Sequence, residues 1–280
     1  KATNYQYAMG QLSTCIDLEV CSLKTMMFEK YPSISPYTYC ANNPVMFVDM
    51  NGREIIFSGE KEHRKAAFKE FKAGAKAHGI SARMNKNGVV SGKYKGKGEI
   101  SQEGQLIMNA INDKSVTVNI IATDGNTTSN VGYMTAGAAF MGSTVSATPK
   151  KVGKDDVTGY TYTATARQEI NPYVLADMSS FHGKSGQDML HEATEGYLGG
   201  LIAKNLGLSI SPALATEENV MQPTLSNSVY DYAHNNAISP SGKFREIIRQ
   251  RFIQGRFESY KIQYEAYDGN RSKVISERPY

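Results

Sequence analysis

The chain has 280 residues, of which 40% are hydrophobic and 21% are charged, a composition that is typical of a globular protein and excludes global disorder. Its three cysteines lie within the first forty residues without a CxxC spacing, which excludes a disulfide framework and a structural zinc finger. The net charge of +4 is unevenly placed, because Lys61 to Glu99 contain eleven Lys and Arg against three Glu.

The first segment of the chain, residues 1–53, differs in composition from the rest. It contains all three cysteines, three of the nine prolines, and clusters of Tyr and Asn. The prolines lie between residues 32 and 44 and exclude a long helix there, whereas residues 45–48 could form one short strand. Asn51-Gly52 indicates a turn at the end of the segment.

Three short motifs occupy residues 31–54. They are Pro36-Tyr37-Thr38-Tyr39, Asn42-Asn43-Pro44-Val45 and Asp49-Met50-Asn51-Gly52. Together they resemble the terminal motif of the Rhs repeat-associated core, found in bacterial Rhs and YD-repeat proteins. In that family a tyrosine-rich shell encloses a variable C-terminal segment, which is often a toxin. The resemblance implies a bacterial protein that is secreted or delivered, with an Rhs-core-like segment at residues 1–53 and a separate domain at residues 54–280.

Residues 54–280 show the mixed periodicities of an α+β domain. Residues 60–78 predict a helix that ends at Gly79, with an apolar face and lysines on the opposite side. A short polar strand or hairpin is expected at 88–98, a second helix at 101–112, and a β-branched strand at 116–123.

The basic stretch from Lys61 to Lys97 could contact nucleic acid, an anionic membrane or an acidic partner. A lysine-rich helix face is more often simply solvated. Only Phe68, Phe71 and Tyr94 lie among the lysines, and the spacing of the two phenylalanines is typical of a core-facing helix, so a base-stacking surface is not indicated.

The longest uncharged stretch, residues 125–149, is rich in Gly, Thr, Ser and Asn. It favours strands and loops over a membrane span. Further strands are expected at 160–168 and around 172–175, whereas residues 244–262 predict an amphipathic helix followed by a polar tail.

A candidate catalytic helix follows at residues 189–205. Ser185 and Asp188 have the spacing of a capping box before it. His191 and Glu195 are four residues apart and therefore point the same way, while Glu192 is rotated by about 100°.

This His-Glu-x-x-Glu helix is similar to the HExxH helix of the zincins, with Glu195 in place of the second histidine. The resemblance implies a zincin-like domain with a twisted mixed sheet, a Zn²⁺ bound by His191 and Glu195, and Glu192 as the general base. The alternative is structural, with a buried His191 held by Glu195 alone.

A third ligand is sought among five histidines. His63 and His78 lie in the lysine-rich helix and are interpreted as solvated. His234, in a helical-looking stretch at 228–237, is the candidate that completes a His₂Glu set, and His182 is its substitute.

Four neighbours of His234 have candidate supporting roles. Asp231 or Asn235 could orient its imidazole, and Tyr230 or Tyr232 could donate a hydrogen bond to an oxyanion.

The leading hypothesis is a zinc-dependent hydrolase, a metallopeptidase-type effector that acts on a protein or peptide and has an immunity or inhibitor protein as a possible partner. A metal-dependent nuclease toxin is the alternative, based on the basic stretch and on an HNH-like His234-Asn235-Asn236. A non-enzymatic secreted interaction domain is the third. No Walker, GxGxxG or GxSxG motif supports nucleotide binding or an α/β-hydrolase.

Overall fold

The computed structural model describes residues 55–130, 132–152, 156–212 and 224–279. The Rhs-core-like segment at residues 1–53, including the motif at 31–54, lies outside the described residues. The strand expected at 45–48 and all three cysteines lie outside them as well.

The described residues form five helices and nine strands. The helices are α1 (Lys61–Ala77), α2 (Gln102–Asn112), α3 (Pro172–Phe181), α4 (Gln187–Leu206) and α5 (Leu225–Asn236). The strands are β1 (Ile55–Gly59), β2 (Ile80–Met84), β3 (Val90–Tyr94), β4 (Val116–Ala122), β5 (Ala138–Val152), β6 (Asp156–Ile170), β7 (Lys243–Ile253), β8 (Arg256–Tyr267) and β9 (Ser272–Pro279). The helices expected at 60–78 and 101–112 and the strand expected at 116–123 are confirmed.

A four-stranded mixed sheet forms the centre of the structure, in the order β1-β4-β6-β5. Strands β1, β4 and β6 are parallel, and β5 pairs antiparallel with β6 at one edge. Strand β4 is buried along most of its length and reads as an almost continuous apolar run, as expected for a parallel strand covered on both faces. The α+β class and the mixed sheet are therefore confirmed. No helix of the described part is long and apolar enough to span a membrane.

Helix α4 packs closely on the sheet through three glycines. A Cβ atom at Gly196 would lie 2.9 Å from Val118 Cγ1, and one at Gly200 would lie 2.7 Å from Val116 Cγ1. At Gly199 the Cβ would lie 2.6 Å from the ring of Phe140 on β5. Because real Cβ atoms do not approach other atoms so closely, larger residues here would push α4 away from the sheet.

The start of α4 differs from the expected capping box. The helix is preceded by Gly186 in the left-handed conformation, with φ +78°, and a Cβ there would lie 2.1 Å from the Glu70 carbonyl oxygen of α1. Asp188 is buried and accepts hydrogen bonds from the hydroxyls of Ser179 and Ser241, each at 2.6 Å. The prediction of a capping box at Ser185 and Asp188 was therefore wrong, because Asp188 accepts its hydrogen bonds from Ser179 and Ser241, which lie outside the helix.

The strand expected around 172–175 was also wrong, since this stretch begins α3. The Asn171 side chain accepts hydrogen bonds from the backbone N–H groups of Tyr173 and Val174, and Pro172 occupies the first turn. An Asn cap followed by Pro is a strong helix start, because Pro has no N–H to leave unpaired there.

The helix expected at 244–262 is instead the hairpin of β7 and β8. Its two-residue turn is Gln254-Gly255, with φ +49° and +77°. Apolar residues at 244, 248 and 252 are four apart, and residues at this spacing lie on one face of a helix and also on one face of a strand. The spacing therefore does not distinguish the two structures. Strand β9 occupies most of the expected polar tail and completes a three-stranded sheet in the order β7-β8-β9.

The substitution Gly200→Ala tests the close packing of α4. It should lower the free energy of unfolding by about 1–3 kcal/mol in urea denaturation, because the added methyl group collides with Val116. Asn205→Ala, at an exposed position of the same helix, is the control and should change stability by less than about 0.5 kcal/mol. Helix propensity alone would make the Gly200→Ala protein more stable. An increase in its free energy of unfolding would therefore contradict the close packing of α4 on the sheet.

Candidate metal centre

His191 is buried, and its ring orientation is determined by a backbone carbonyl. Its Nδ1 donates to the Ile238 oxygen at 2.7 Å, and a carbonyl only accepts, so Nδ1 carries the hydrogen. The other nitrogen, Nε2, is then free of hydrogen in the neutral ring. Burial lowers the pKa of His191, which favours this neutral form. His191 therefore presents a lone pair of the kind that binds a metal ion.

The Ile238 carbonyl is held in place by α4 itself. Thr194 Oγ1 accepts from the backbone N–H of Ile238 at 3.1 Å and donates to the Leu190 carbonyl at 2.7 Å. Three residues later, the backbone N–H of Ser241 donates to Asp188 at 2.9 Å. The loop that orients His191 is thus attached to the helix on both sides of that histidine.

Glu195 lies one turn from His191 and is buried with polar partners on both carboxylate oxygens. Oε1 accepts from Gln168 Nε2 at 3.0 Å, and Oε2 accepts from His234 Nδ1 at 2.7 Å. The same Gln168 nitrogen donates to Glu192 Oε2 at 2.5 Å. One amide group on β6 therefore connects the two carboxylates of the helix.

His234 reaches the site from α5 and is 42% exposed at its side chain, against 3% for Glu195. The hydrogen bond to Glu195 raises the pKa of His234, so metal binding at Nδ1 must displace a proton. The ring lies 5.5 Å from that of Tyr230, which stacks on Phe140 at 6.4 Å. Aromatic contacts between α5 and β5 thus place His234 opposite α4.

The three side chains form a group that could hold a metal ion. The separations are 3.1 Å from His191 Nε2 to His234 Nδ1, 2.7 Å from His234 Nδ1 to Glu195 Oε2, and 3.6 Å from His191 Nε2 to Glu195 Oε2. Ligand atoms about 2.0–2.1 Å from a tetrahedral zinc ion lie about 3.3 Å apart, a value within this range. The three donor atoms are therefore close enough together to bind one ion.

A cleft of about 780 Å³ opens over these residues. Glu192 faces it beside the ligand group, and burial followed by the charge of Glu195 raises the pKa of Glu192. A carboxyl group with a raised pKa is suited to exchange protons near neutral pH. The walls come from β5, the loop before it, α5 and the three-stranded sheet; they include Thr135, Ala138, Phe140, Asp231, Phe244 and Tyr264.

Of the two candidate tyrosines, Tyr230 and Tyr232, only Tyr230 is among the residues that line the cleft. Tyr230 lines the cleft, and burial raises the pKa of its hydroxyl, which remains protonated and able to donate a hydrogen bond. Tyr232 is two residues further along α5 and is not among the lining residues of the described part, since two helical residues differ by about 200° in direction. Asp231 lines the cleft near His234, whereas Asn235 is exposed.

The other histidines lie outside the group. His182 follows α3, where its Nε2 contacts the carbonyl oxygen of Lys243 at 3.1 Å. His63 and His78 belong to the region of α1, and their side chains are mostly buried at 15% and 13% exposure, so the solvated interpretation was wrong. His63 Nδ1 contacts the Tyr173 hydroxyl at 3.1 Å.

Sequence reasoning missed Gln168, Thr194 and the Ile238 carbonyl. A glutamine on a strand and a threonine within a helix have no recognisable spacing to a metal motif, and a carbonyl group has no residue identity. The backbone placement of β6 and of the loop after α5 decides all three contacts.

Comparison with known proteins finds no match to a family model, to a curated protein or to a solved structure.

The ligand group predicts one zinc ion per chain. His191→Ala, Glu195→Gln and His234→Ala should each weaken zinc binding at least about 100-fold, since each removes one of three donors. Competition with a chromophoric chelator measures the affinity, and His182→Ala is the matched control that should retain it. Equal zinc affinity in all four variants would contradict the assignment of His191, Glu195 and His234 as the metal ligands.

Gln168→Leu should weaken zinc binding by about 10- to 100-fold, although residue 168 is not a ligand. The reason is that Glu195 loses the hydrogen-bond donor that orients its carboxylate. Residues that orient a metal ligand in this way typically contribute to metal affinity. The same chelator competition checks this effect. Gln105→Leu, which removes an amide that donates to Asn109 on α2, should leave the affinity unchanged.

Proposed function

We propose that the chain is a zinc-dependent hydrolase of the metallopeptidase type. The observation that carries the proposal is the convergence of His191, Glu195 and His234 at the base of a cleft, with Glu192 beside them. A zinc ion bound there would acidify a water molecule and polarise a substrate carbonyl group.

Glu192 is the residue assigned to proton transfer. Its half-buried carboxyl faces the cleft and receives the Gln168 amide, which prevents it from turning away. When ionised it accepts a proton from the attacking water, and when protonated it returns the proton to the leaving amine. Its raised pKa supports the second step, because the acid form persists to higher pH.

Tyr230 is assigned to stabilise the developing oxyanion. Its hydroxyl lies in the cleft wall and stays protonated, and its ring is held between Phe140 and His234. Tyr232, which does not line the cleft, has no role in this proposal.

The expected substrate is a protein or peptide, because the cleft has a volume of about 780 Å³ and is lined by many apolar side chains. Delivery as a bacterial effector, with an immunity or inhibitor protein as partner, remains the part of the proposal that rests on the Rhs-like motif at residues 31–54.

The nuclease alternative has weaker support. Asn235 is exposed, and the Asn236 amide donates to the Tyr232 carbonyl oxygen at 2.8 Å on its own helix. The basic stretch belongs to α1, β2 and β3, none of which contributes a described residue to the cleft wall. A plasmid-nicking assay with the same zinc-loaded protein, and with Mg²⁺, addresses this alternative.

Glu192→Gln is the decisive variant for the peptidase proposal. It should keep zinc, since the ligands are intact, and lower the rate of cleavage of fluorescein-labelled casein by about 10²- to 10⁴-fold. Glu103→Gln, on the distant helix α2, is the control and should cleave at the wild-type rate. Zinc-loaded wild-type protein that leaves casein intact, or a fully active Glu192→Gln protein, would overturn the proposal.

A further inference from the structure

The sheet of β7, β8 and β9 carries half of the exposed large apolar side chains in the described part of the chain. Of the fourteen found exposed in the described part of the chain, seven lie on these three strands. Single exposed apolar residues are ordinary, but a cluster on one element indicates an interaction surface.

The cluster occupies one face of the β7–β8 hairpin. Ile248 pairs with Ile262, and Phe252 pairs with Phe257, so these side chains share that face. The ring of Phe257 lies 6.0 Å from Phe252 and 4.8 Å from Tyr260. We call Ile248, Phe252, Phe257 and Tyr260 the hairpin face; Phe252 and Phe257 are 55% and 50% exposed.

The opposite face of the hairpin carries two ion pairs. Arg245 contacts Glu265 at 2.8 Å, and Lys261 contacts Glu277 at 2.8 Å. Arg245 and Lys261 thus point away from the hairpin face and have carboxylate partners.

The hairpin face continues the wall of the cleft. Phe244 and Tyr264 lie on the same side of the same strands, 6.2 Å apart, and both line the cleft. Between them and the hairpin face lies the pair Glu246 and Arg278, 4.0 Å apart. From Phe244 to Phe252 the strand extends about 27 Å, the length of about eight residues of extended chain.

We propose that the hairpin face binds an apolar extended segment of a polypeptide whose neighbouring residues enter the cleft. The inference rests on the proposed peptidase function, because a polypeptide bound in the cleft must leave it past one of its walls. The face selects unfolded chains, since a folded protein buries apolar segments of this length. Its residues act in substrate binding and touch no reacting atom.

The test measures binding without cleavage, in zinc-loaded Glu192→Gln protein. The probe is fluorescent, reduced and carboxamidomethylated α-lactalbumin, which is permanently unfolded, and its Kd is read by anisotropy. The double variant Phe252→Ser/Phe257→Ser should weaken binding by about tenfold or more, because two half-exposed rings lose their apolar contact with the probe.

A second hairpin offers a matched control. Tyr160 and Tyr162 on β6 are stacked at 6.4 Å, and Tyr160 is 53% exposed. Tyr160→Ser/Tyr162→Ser should change the Kd less than twofold. Ile248→Ser is the second test variant, and circular dichroism and an unchanged zinc content establish that each variant is folded.

Several outcomes overturn the inference: no binding of the probe by the Glu192→Gln protein, or an equal Kd in the Phe252→Ser/Phe257→Ser protein. It is also overturned if that variant instead loses only binding to phosphatidylglycerol vesicles, or only self-association in sedimentation. If the Phe252→Ser/Phe257→Ser variant loses probe binding but the wild-type protein cleaves no casein, the peptidase proposal is refuted and the hairpin face remains supported as a binding surface. If the wild-type protein cleaves casein but the double variant binds the probe with an unchanged Kd, the peptidase proposal stands and the binding role of the hairpin face is refuted.

Discussion

The close approach of α4 to the sheet is the constraint on which the site depends. Gly196, Gly199 and Gly200 leave no side chain between the helix axis and β4, β5 and β6. Because the helix lies so near, Gln168 on β6 reaches both Glu192 and Glu195. Gly199 also leaves room for the Phe140 ring, through which Tyr230 and then His234 are placed. The glycines therefore determine the positions of donors that lie outside their own helix.

Two carboxylates one turn apart on a buried helix are costly for the folded state. Burial removes water from Glu192, and the nearby Glu195 repels its charge, so the pKa of Glu192 rises. The hydrogen bonds that the Gln168 amide and His234 Nδ1 donate to Glu195 offset part of this cost, and a bound cation would offset more. An arrangement of buried carboxylates that is costly by itself is thus one that suits a metal centre, a common relation at functional sites.

The cleft and the hairpin face belong to segments that are distant in sequence. Strand β5, helix α5 and the sheet of β7 to β9 each supply one wall. The asymmetry of charge, in contrast, has no part in this region, because the basic stretch lies on α1, β2 and β3. Net charge pointed first to nucleic acid, whereas the proposed hydrolase function rests on the arrangement of ionisable groups at the cleft.

The sequence by itself determined the helix of the candidate site and the directions of its side chains, because His191, Glu192 and Glu195 are related by the fixed 100° rotation of an α-helix. It also determined the α+β class, through periodicities that differ between helices and strands. It did not determine the hairpin at 243–267, where apolar residues four apart satisfy both periods, nor the partners of Asp188 and His191. Only the tertiary structure decided that His234 and Gln168 meet Glu195, since contacts over 39 and 27 residues depend on how elements pack and not on local spacing.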